Sequence, residues 1–378
     1  MSLSPLQRNF SSYHFSNESD SDLIIQTGTA WKSLVFIKTH KTGSTTLQTI
    51  VNRFGFFNNL SFVFNTNSSK NGHFFHIPSI MNGKRPEKSF LPPLKVKSGD
   101  FENNTNYDML SQHIRYNRLQ LRRFMRSDAK YITIIREPSE QWESAFEHFR
   151  FHDVLGRSVA SNKWLDTFLE RPSYFREKLK FIKYEDVLGL RWYYAQNSQM
   201  YDLGLDGESF YNETVINGTI KSIENEFTLV LIMEYFDESL LVLKKELCWE
   251  YEDIVYVPKN QREKRPTLSF KIRQKIVEFN HADFLLYHHF NQTLWKKIDE
   301  YGSTFDADLR YFRELKSRLF KECGKEKPDV KKLGSGRIYK HVEFSPRKNA
   351  SLFCRTLTES KRTLYKRLYD RQNVKIKQ

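Results

Sequence analysis

The segment Lys41-Thr42-Gly43-Ser44-Thr45-Thr46 joins a cation, a glycine and three successive hydroxyl side chains, Ser44, Thr45 and Thr46. It follows the apolar run Ser33–Ile37. It precedes Leu47, Ile50, Val51 and Phe54, which recur at the i, i+3, i+4, i+7 spacing of a helix face. A loop between a buried strand and a helix N-terminus suits an anion, because free backbone N–H groups and the positive end of the helix dipole meet there. Gly43 lets the backbone approach a phosphate. The hydroxyls of the first turn can donate to it, and Lys41 adds a point charge able to reach a bridging or leaving oxygen. The Walker A pattern places its lysine after the second glycine. Here Lys41 precedes Gly43 and no glycine lies five residues upstream, which disfavours an ordinary P-loop kinase or ATPase. Taken alone, the segment reads equally well as a Thr/Ser-rich helix cap.

A second unit changes that balance. Arg136 ends the apolar run Tyr131–Ile135, Pro138 suits the first turn of a helix, and Ser144 lies about two turns further on. Trp142, Ala145, Phe146 and Phe149 form the helical stripe. An arginine fork beside a hydroxyl suits a terminal phosphate dianion. The bland reading of Arg136 is a surface ion pair with Glu137 or Glu140. A third apolar run, Thr228–Met233, precedes a helix expected around Ser239–Leu247. Strands alternating with helices predict an α/β fold with a central, mainly parallel sheet flanked by helices. Both loops would then lie at one edge of that sheet, and together they describe a ligand with phosphate at both ends.

Composition sets the outer limits. The chain has 378 residues, a formal net charge of +15, 39% hydrophobic residues, 15% aromatics and three Cys. It is too apolar to be disordered, and three Cys are too few for a disulfide scaffold. The charge predicts an anionic partner without naming it. Residues 1–30 read as a polar lead-in or stem and 31–323 as the main domain. Within it, 58–106 is an irregular excursion rich in Asn, Ser, Pro and Gly. Residues 324–378 read as a basic, peripheral extension. No apolar run approaches the roughly 18 residues of a membrane span, and Met1 to Gln26 lacks a signal-peptide core. On its face the chain is cytoplasmic. Against this stand nine Asn-x-Ser/Thr acceptors, at Asn9, Asn17, Asn59, Asn67, Asn103, Asn212, Asn217, Asn291 and Asn349. About three would be expected by chance, so a glycosylated luminal domain is the sharper reading. Cys323 and Cys354 could pair in an oxidising lumen.

Several blocks, in order along the chain, resemble the galactose 3-O-sulfotransferases, which include galactosylceramide sulfotransferase. They are Phe36–Gly55 (FIKTHKTGSTTLQTIVNRFG), His113–Asn117 (HIRYN), Ile134–Phe149, Leu229–Trp249 (LVLIMEYFDESLLVLKKELCW), Tyr287–Leu294 (YHHFNQTL) and Trp295–Gly302. The resemblance implies a P-loop-like sulfotransferase fold and 3′-phosphoadenosine 5′-phosphosulfate (PAPS) as sulfuryl donor, with no metal required. Lys41, Thr42, Gly43, Ser44, Thr45 and Thr46 resemble the family's 5′-phosphosulfate loop. Arg136 with Ser144 resembles its 3′-phosphate pair. It also implies a Golgi type II membrane glycoprotein. This chain shows no N-terminal membrane helix, so membrane association would run through an anchor outside this sequence.

A sugar hydroxyl also needs a base, and histidine is the side chain most often suited near neutral pH. His113, between the two phosphate units, resembles the base position of glycan sulfotransferases. His40, beside Lys41, is second. Lys41 would stabilise charge on the leaving phosphate. Arg115 would share the His113 face if this segment were a strand, and Asn260 and Arg262 are further candidates for the acceptor site. Trp142, Trp192, Tyr193 and Tyr194 are possible members of a sugar-stacking platform, though core packing is the commoner use of such residues. The expected acceptor is a galactose-terminated glycolipid or glycoprotein glycan. Alternatives are a uronyl 2-O-sulfotransferase acting on glycosaminoglycans, a nucleic-acid-binding protein and a glycan-binding relative without catalysis. The Leu229–Trp249 block favours the galactose family over the first. The second lacks any nucleic-acid-binding signature, and an intact Lys41, His113 and Arg136 argues against the third.

Overall fold

The computed structural model describes residues 28–65, 90–94, 106–156, 158–184, 187–258, 267–332 and 338–374. Four strands, β1 (Leu34–Ile37), β2 (Met109–Leu110), β3 (Lys130–Ile135) and β4 (Leu229–Ile232), form a parallel sheet in the order β2-β1-β3-β4. Phe36 pairs with Ile132, and Ile134 with Leu231. These strands read as continuous apolar runs because helices cover both faces of a parallel sheet. The chain steps from β1 outward to β2, then crosses back to β3 on the other side. The strand order therefore reverses between β1 and β3. In open parallel sheets that reversal opens a crevice at the carboxyl ends of the strands, where ligands bind.

Both predicted strand–loop–helix units are formed. Helix α1 (Ser44–Phe57) follows β1, and its Leu47, Ile50, Val51 and Phe54 are fully buried. Helix α2 (Pro138–His148) follows β3, with Pro138 in its first turn and the Glu137 side chain capping the Ser139 and Glu140 N–H groups. Trp142, Ala145, Phe146 and Phe149 of α2 enter a second apolar cluster with Phe151, Phe168 and Phe279. Trp142 is therefore core, its indole N–H donating to Ala195 O.

A short helix, α3 (Ser198–Asp202), lies beneath the first loop. Helix α4 (Phe236–Leu247) begins three residues before the expected Ser239. Asp237 and Glu238 suit its first turn, and the Ser239 hydroxyl is turned back to the Ile232 N–H of β4. Helices α5 (Phe270–Phe279) and α6 (His281–Asp299) follow. Among the described residues, no helix is long and apolar enough to cross a membrane.

The C-terminal region differs from the expected periphery. Helix α7 (Phe305–Cys323) leads into a hairpin of β5 (Gly324–Lys332) and β6 (Ile338–Pro346), then α8 (Leu352–Thr358) and α9 (Lys361–Val374). Cys323 and Cys354 form a disulfide that ties the end of α7 to α8. Tyr365, Leu368 and Tyr369 of α9 enter the main core, and Leu364 is buried beside them. Gln372 bonds both backbone groups of Phe62, and Arg371 donates to Phe56 O and Leu60 O. Dense basic residues on the other faces of α9 masked this apolar face in the sequence. The described ends of the 58–106 segment also reach the core, through Phe62, Phe64, Phe90 and Leu91.

Candidate active site

The loop after β1 is held by its own hydroxyls. Thr39 Oγ1 donates to Ile134 O, latching the loop to β3, and pairs with Thr42 Oγ1 at 2.7 Å. Ser44 Oγ donates to Thr39 O at 2.7 Å. In this structure Thr42 and Ser44 thus shape the loop from inside. The Ser44 hydroxyl was read from sequence as a donor to the anion, and Thr42 as part of the anion loop by resemblance. Thr45 is half-exposed at the mouth, whereas Thr46 is buried. Lys41 and Gly43 both take left-handed backbone conformations, at φ 64° and 75°. A Cβ on Gly43 would meet Met233 Sδ at 2.2 Å, and a residue bearing one would have to adopt the same left-handed φ, so glycine suits this close approach to the residue that follows β4. The loops after β1, β3 and β4 converge here. The first turn of α1 contains no acidic side chain, which leaves its positive end available to an anion.

His113 is brought to this loop from between β2 and β3. Its Nδ1 lies 3.1 Å from Lys38 O and its Nε2 lies 2.9 Å from Lys38 Nζ. A carbonyl only accepts, so the ring proton is assigned to Nδ1. Nε2 then presents its lone pair, to which the Lys38 ammonium donates. Burial first, then the charges of Lys361 and Lys41, holds Lys38 well below the usual lysine range.

The His113 ring stacks on His40, with centroids 4.2 Å apart and planes 18° from parallel. His40 is fixed from several sides. Its Nδ1 and backbone N–H both lie 2.8 Å from Asp202 Oδ2, and its carbonyl accepts from Gln141 Nε2 at 2.9 Å. Tyr194 covers it at 4.2 Å between ring centroids. His40 and Lys41 are chain neighbours, yet only Lys41 belongs to the exposed side of the loop.

Arg136 reaches the same loop from β3. It is 5% exposed, and it donates through Nη1 to Lys41 O at 3.3 Å and through Nη2 to Glu140 Oε2 at 3.1 Å. Gln199 of α3 clamps its backbone, accepting from the N–H at 2.8 Å and donating to the carbonyl at 3.0 Å. The pair with Glu140 is the bland reading made real, but in a buried setting and tied to the loop. Glu140 is shared with Arg273 of α5, whose Nη2 lies 2.6 Å from Oε1. Ser144 sits one turn beyond Glu140 on α2 and is nearly buried.

The other candidates fare differently. His113 and Arg115 lie in irregular backbone, not in a strand, so they do not share a face as expected. Arg115 commits its guanidinium to Tyr201 O, Gly204 O and Asp206. Trp192 is buried under Arg176, and Tyr193 stacks on Tyr201. Asn260 and Arg262 lie outside the described residues. Sequence reasoning missed Lys38, Asp202, Gln141, Gln199 and Arg273. Lys38 stands at the end of β1 in the same motif and was legible in principle. Asp202 meets His40 across 162 residues of chain, with no local signal.

The sequence comparisons agree with this geometry. A profile described as galactose-3-O-sulfotransferase matches residues 9–367. Galactose-3-O-sulfotransferase 3 of Mus musculus is 30% identical over 327 residues, 85% of this chain and 70% of that protein. Galactosylceramide sulfotransferase of Mus musculus is 32% identical over 273 residues, 72% of this chain and 59% of that protein. Galactose-3-O-sulfotransferase 2 of Homo sapiens is 31% identical over 270 residues, 70% of this chain and 61% of that protein. With a profile match over nearly its whole length and relatives at about 30% identity, the chain belongs to the galactose-3-O-sulfotransferase family.

Proposed function

We propose that this protein moves a sulfuryl group from PAPS to the 3-hydroxyl of a terminal galactose on a glycolipid or glycoprotein glycan. The observation that carries the reading is the meeting of His113 with Lys38 and His40, which lead directly into Lys41–Thr46, at the reversal of the sheet. That neighbourhood supports reading His113 as the base and the loop as the anion cradle. The named relatives include enzymes of galactose and of galactosylceramide, which supports the acceptor class.

The residues present fit a doubly phosphorylated donor. The acid-free N-terminus of α1 and the Lys41 ammonium suit the 5′-phosphosulfate end. Arg136 and Ser144, on the neighbouring loop and helix, suit the 3′-phosphate. For Arg136 to grip that phosphate, Glu140 must yield Nη2, and its contact with Arg273 gives the carboxylate a second cation to rest on. When bound, the donor supplies an activated sulfuryl group. The protein then positions an in-line attack and stabilises charge. The acceptor oxygen forms a bond to sulfur as the bond from sulfur to the phosphate oxygen breaks. Lys38 Nζ must first release His113 Nε2; the acceptor's proton then passes to that nitrogen, and Lys41 faces the charge that develops on the leaving phosphate. His40, held by Asp202 and stacked on His113, keeps the base ring in place.

The setting proposed with this function is the Golgi lumen, and two features support its luminal part. Asn59, Asn212, Asn217 and Asn349 are exposed acceptor sites, and the disulfide Cys323–Cys354 needs an oxidising compartment. The deciding experiment offers purified protein radiolabelled donor with galactosylceramide, lactose and N-acetyllactosamine. Label on the galactose 3-hydroxyl is expected, and Lys41→Ala should abolish it. Absence of label on all three acceptors overturns the galactose reading, and transfer to desulfated heparan alone would replace it with a uronyl 2-O-sulfotransferase.

A further inference from the structure

Helix α9 packs along α1; with Arg371 near the end of one helix set against Phe56 near the end of the other, an antiparallel pair would overlap by only about one turn, so the two run in the same direction. Arg371, near the C-terminal end of α9, donates to Phe56 O at the C-terminal end of α1. Ten residues earlier on α9 stands Lys361. At about 1.5 Å rise per residue, that is roughly 15 Å toward the N-terminus. The same step along α1 from Phe56 arrives at Thr46. The first residue of α9 therefore stands at the level of the anion loop.

The electrostatics agree with this placement. Lys361 is half-buried, and burial lowers its pKa from the usual lysine value. Its charge bears on Lys38 more strongly than that of Lys41 does. The main charges acting on Lys38 are thus two cations, Lys361 and Lys41, against one carboxylate, Asp202. Asp202 is itself engaged by His40. Three lysines, two from the loop after β1 and one from α9, converge on one mouth, an arrangement that an anion with several charged oxygens would neutralise.

We propose that Lys361 contacts the phosphosulfate end of the donor, so that the C-terminal helix forms one wall of the donor site. This rests on the donor reading above. Lys361 and Lys41 would approach that end from opposite sides, Lys361 from α9 and Lys41 from the loop. The disulfide between Cys323 and Cys354 fixes α8, two residues before α9, and thereby helps hold that wall.

The test is calorimetric titration with adenosine 3′,5′-bisphosphate on wild type, Lys361→Met, Lys361→Gln, Lys361→Arg and Arg362→Met. Melting curves check that each variant folds. Removing one charge-assisted contact should weaken binding about tenfold in both neutral variants. Lys361→Arg should restore most of it, and Arg362→Met, an exposed neighbour, should leave it unchanged. The wild type should also lose affinity more steeply with salt than the neutral variants do. Folded Lys361→Met or Lys361→Gln binding as tightly as wild type overturns this proposal and leaves the donor reading standing. Wild type that does not bind the bisphosphate overturns the donor reading and this one together.

Discussion

His113 presents both ring nitrogens to one residue: Nδ1 to the carbonyl of Lys38 at 3.1 Å and Nε2 to its ammonium at 2.9 Å. The carbonyl fixes the tautomer, and the ammonium occupies the lone pair that would take a proton from an acceptor hydroxyl. Lys38 is therefore a positioning residue whose charge opposes protonation of the base. Lys38→Met removes that charge. The acid limb of the kcat/KM profile should then move to higher pH, because the base takes up a proton more readily, while kcat falls as the ring loses its hold. An unchanged limb in an active Lys38→Met variant would show that the two side chains are not coupled.

His113→Ala tests the base itself. General bases contribute roughly 10²–10⁴-fold, so turnover should fall within that range while bisphosphate binding persists. Full activity in His113→Ala would pass the role to His40, whose Nδ1 is already held by Asp202.

Arg136 and Glu140 make opposite predictions. A lysine ammonium lacks the planar fork that lets one guanidinium hold the Lys41 carbonyl while facing two phosphate oxygens, so Arg136→Lys should weaken bisphosphate binding about tenfold or more. Glu140 competes with the phosphate for Arg136 Nη2. Glu140→Gln should therefore tighten binding several-fold, since one charged competitor is gone and the Lys41 carbonyl still aims the guanidinium. The measurement is again titration with the bisphosphate. Weaker binding in Glu140→Gln would mean that the carboxylate aims Arg136 rather than competing for it.

How much of this was legible follows the range of the interactions. The two strand–loop–helix units are local, and both were read close to their observed bounds. The order Lys41, His113, Arg136 was likewise a reading of sequence, and the sheet reversal explains why those residues meet. What escaped detection is non-local. The grip of Asp202 on His40 and of Gln199 on Arg136 spans long stretches of chain. The condition for His113 and Arg115 to share a face, a strand through both, is not met, and Arg115 instead donates to the carbonyls of Tyr201 and Gly204. The C-terminal stretch was judged by net charge, which averages over faces, whereas burial depends on the single apolar face of α9.

Asp283 gives a pH dependence of stability that is independent of catalysis. It is 1% exposed and accepts from Met200 N at 2.8 Å and Gln199 N at 3.2 Å. Burial raises its pKa from 3.8 to about 7. Between those values the folded protein holds a proton that the unfolded chain has released. This contribution is thus complete below about 4 and is lost as pH rises toward about 7. Asp283→Asn should flatten that part of the curve relative to wild type in urea melts at a series of pH values. Equal slopes in the two proteins would contradict the assignment.

Gln372 carries the last prediction. Its amide accepts from Phe62 N at 2.9 Å and donates to Phe62 O at 2.9 Å and Pro92 O at 3.0 Å. It thus stands in for a neighbouring strand on the side of Phe62 away from Met109 of β2, and it is 2% exposed. Gln372→Ala leaves buried backbone groups without partners, at about 1–3 kcal/mol for each group left unsatisfied. The melting temperature should fall by several degrees. Gln372→Glu keeps the accepting oxygen but offers no N–H to the Phe62 and Pro92 carbonyls, and it sets a buried charge against them. It should be at least as damaging as Gln372→Ala, although it is closer to glutamine in shape. A Gln372→Glu variant as stable as wild type would show that the donated hydrogen bonds contribute little. The attachment of α9 would then rest on Leu364, Leu368 and the aromatic contacts of Tyr365 and Tyr369 with Phe64.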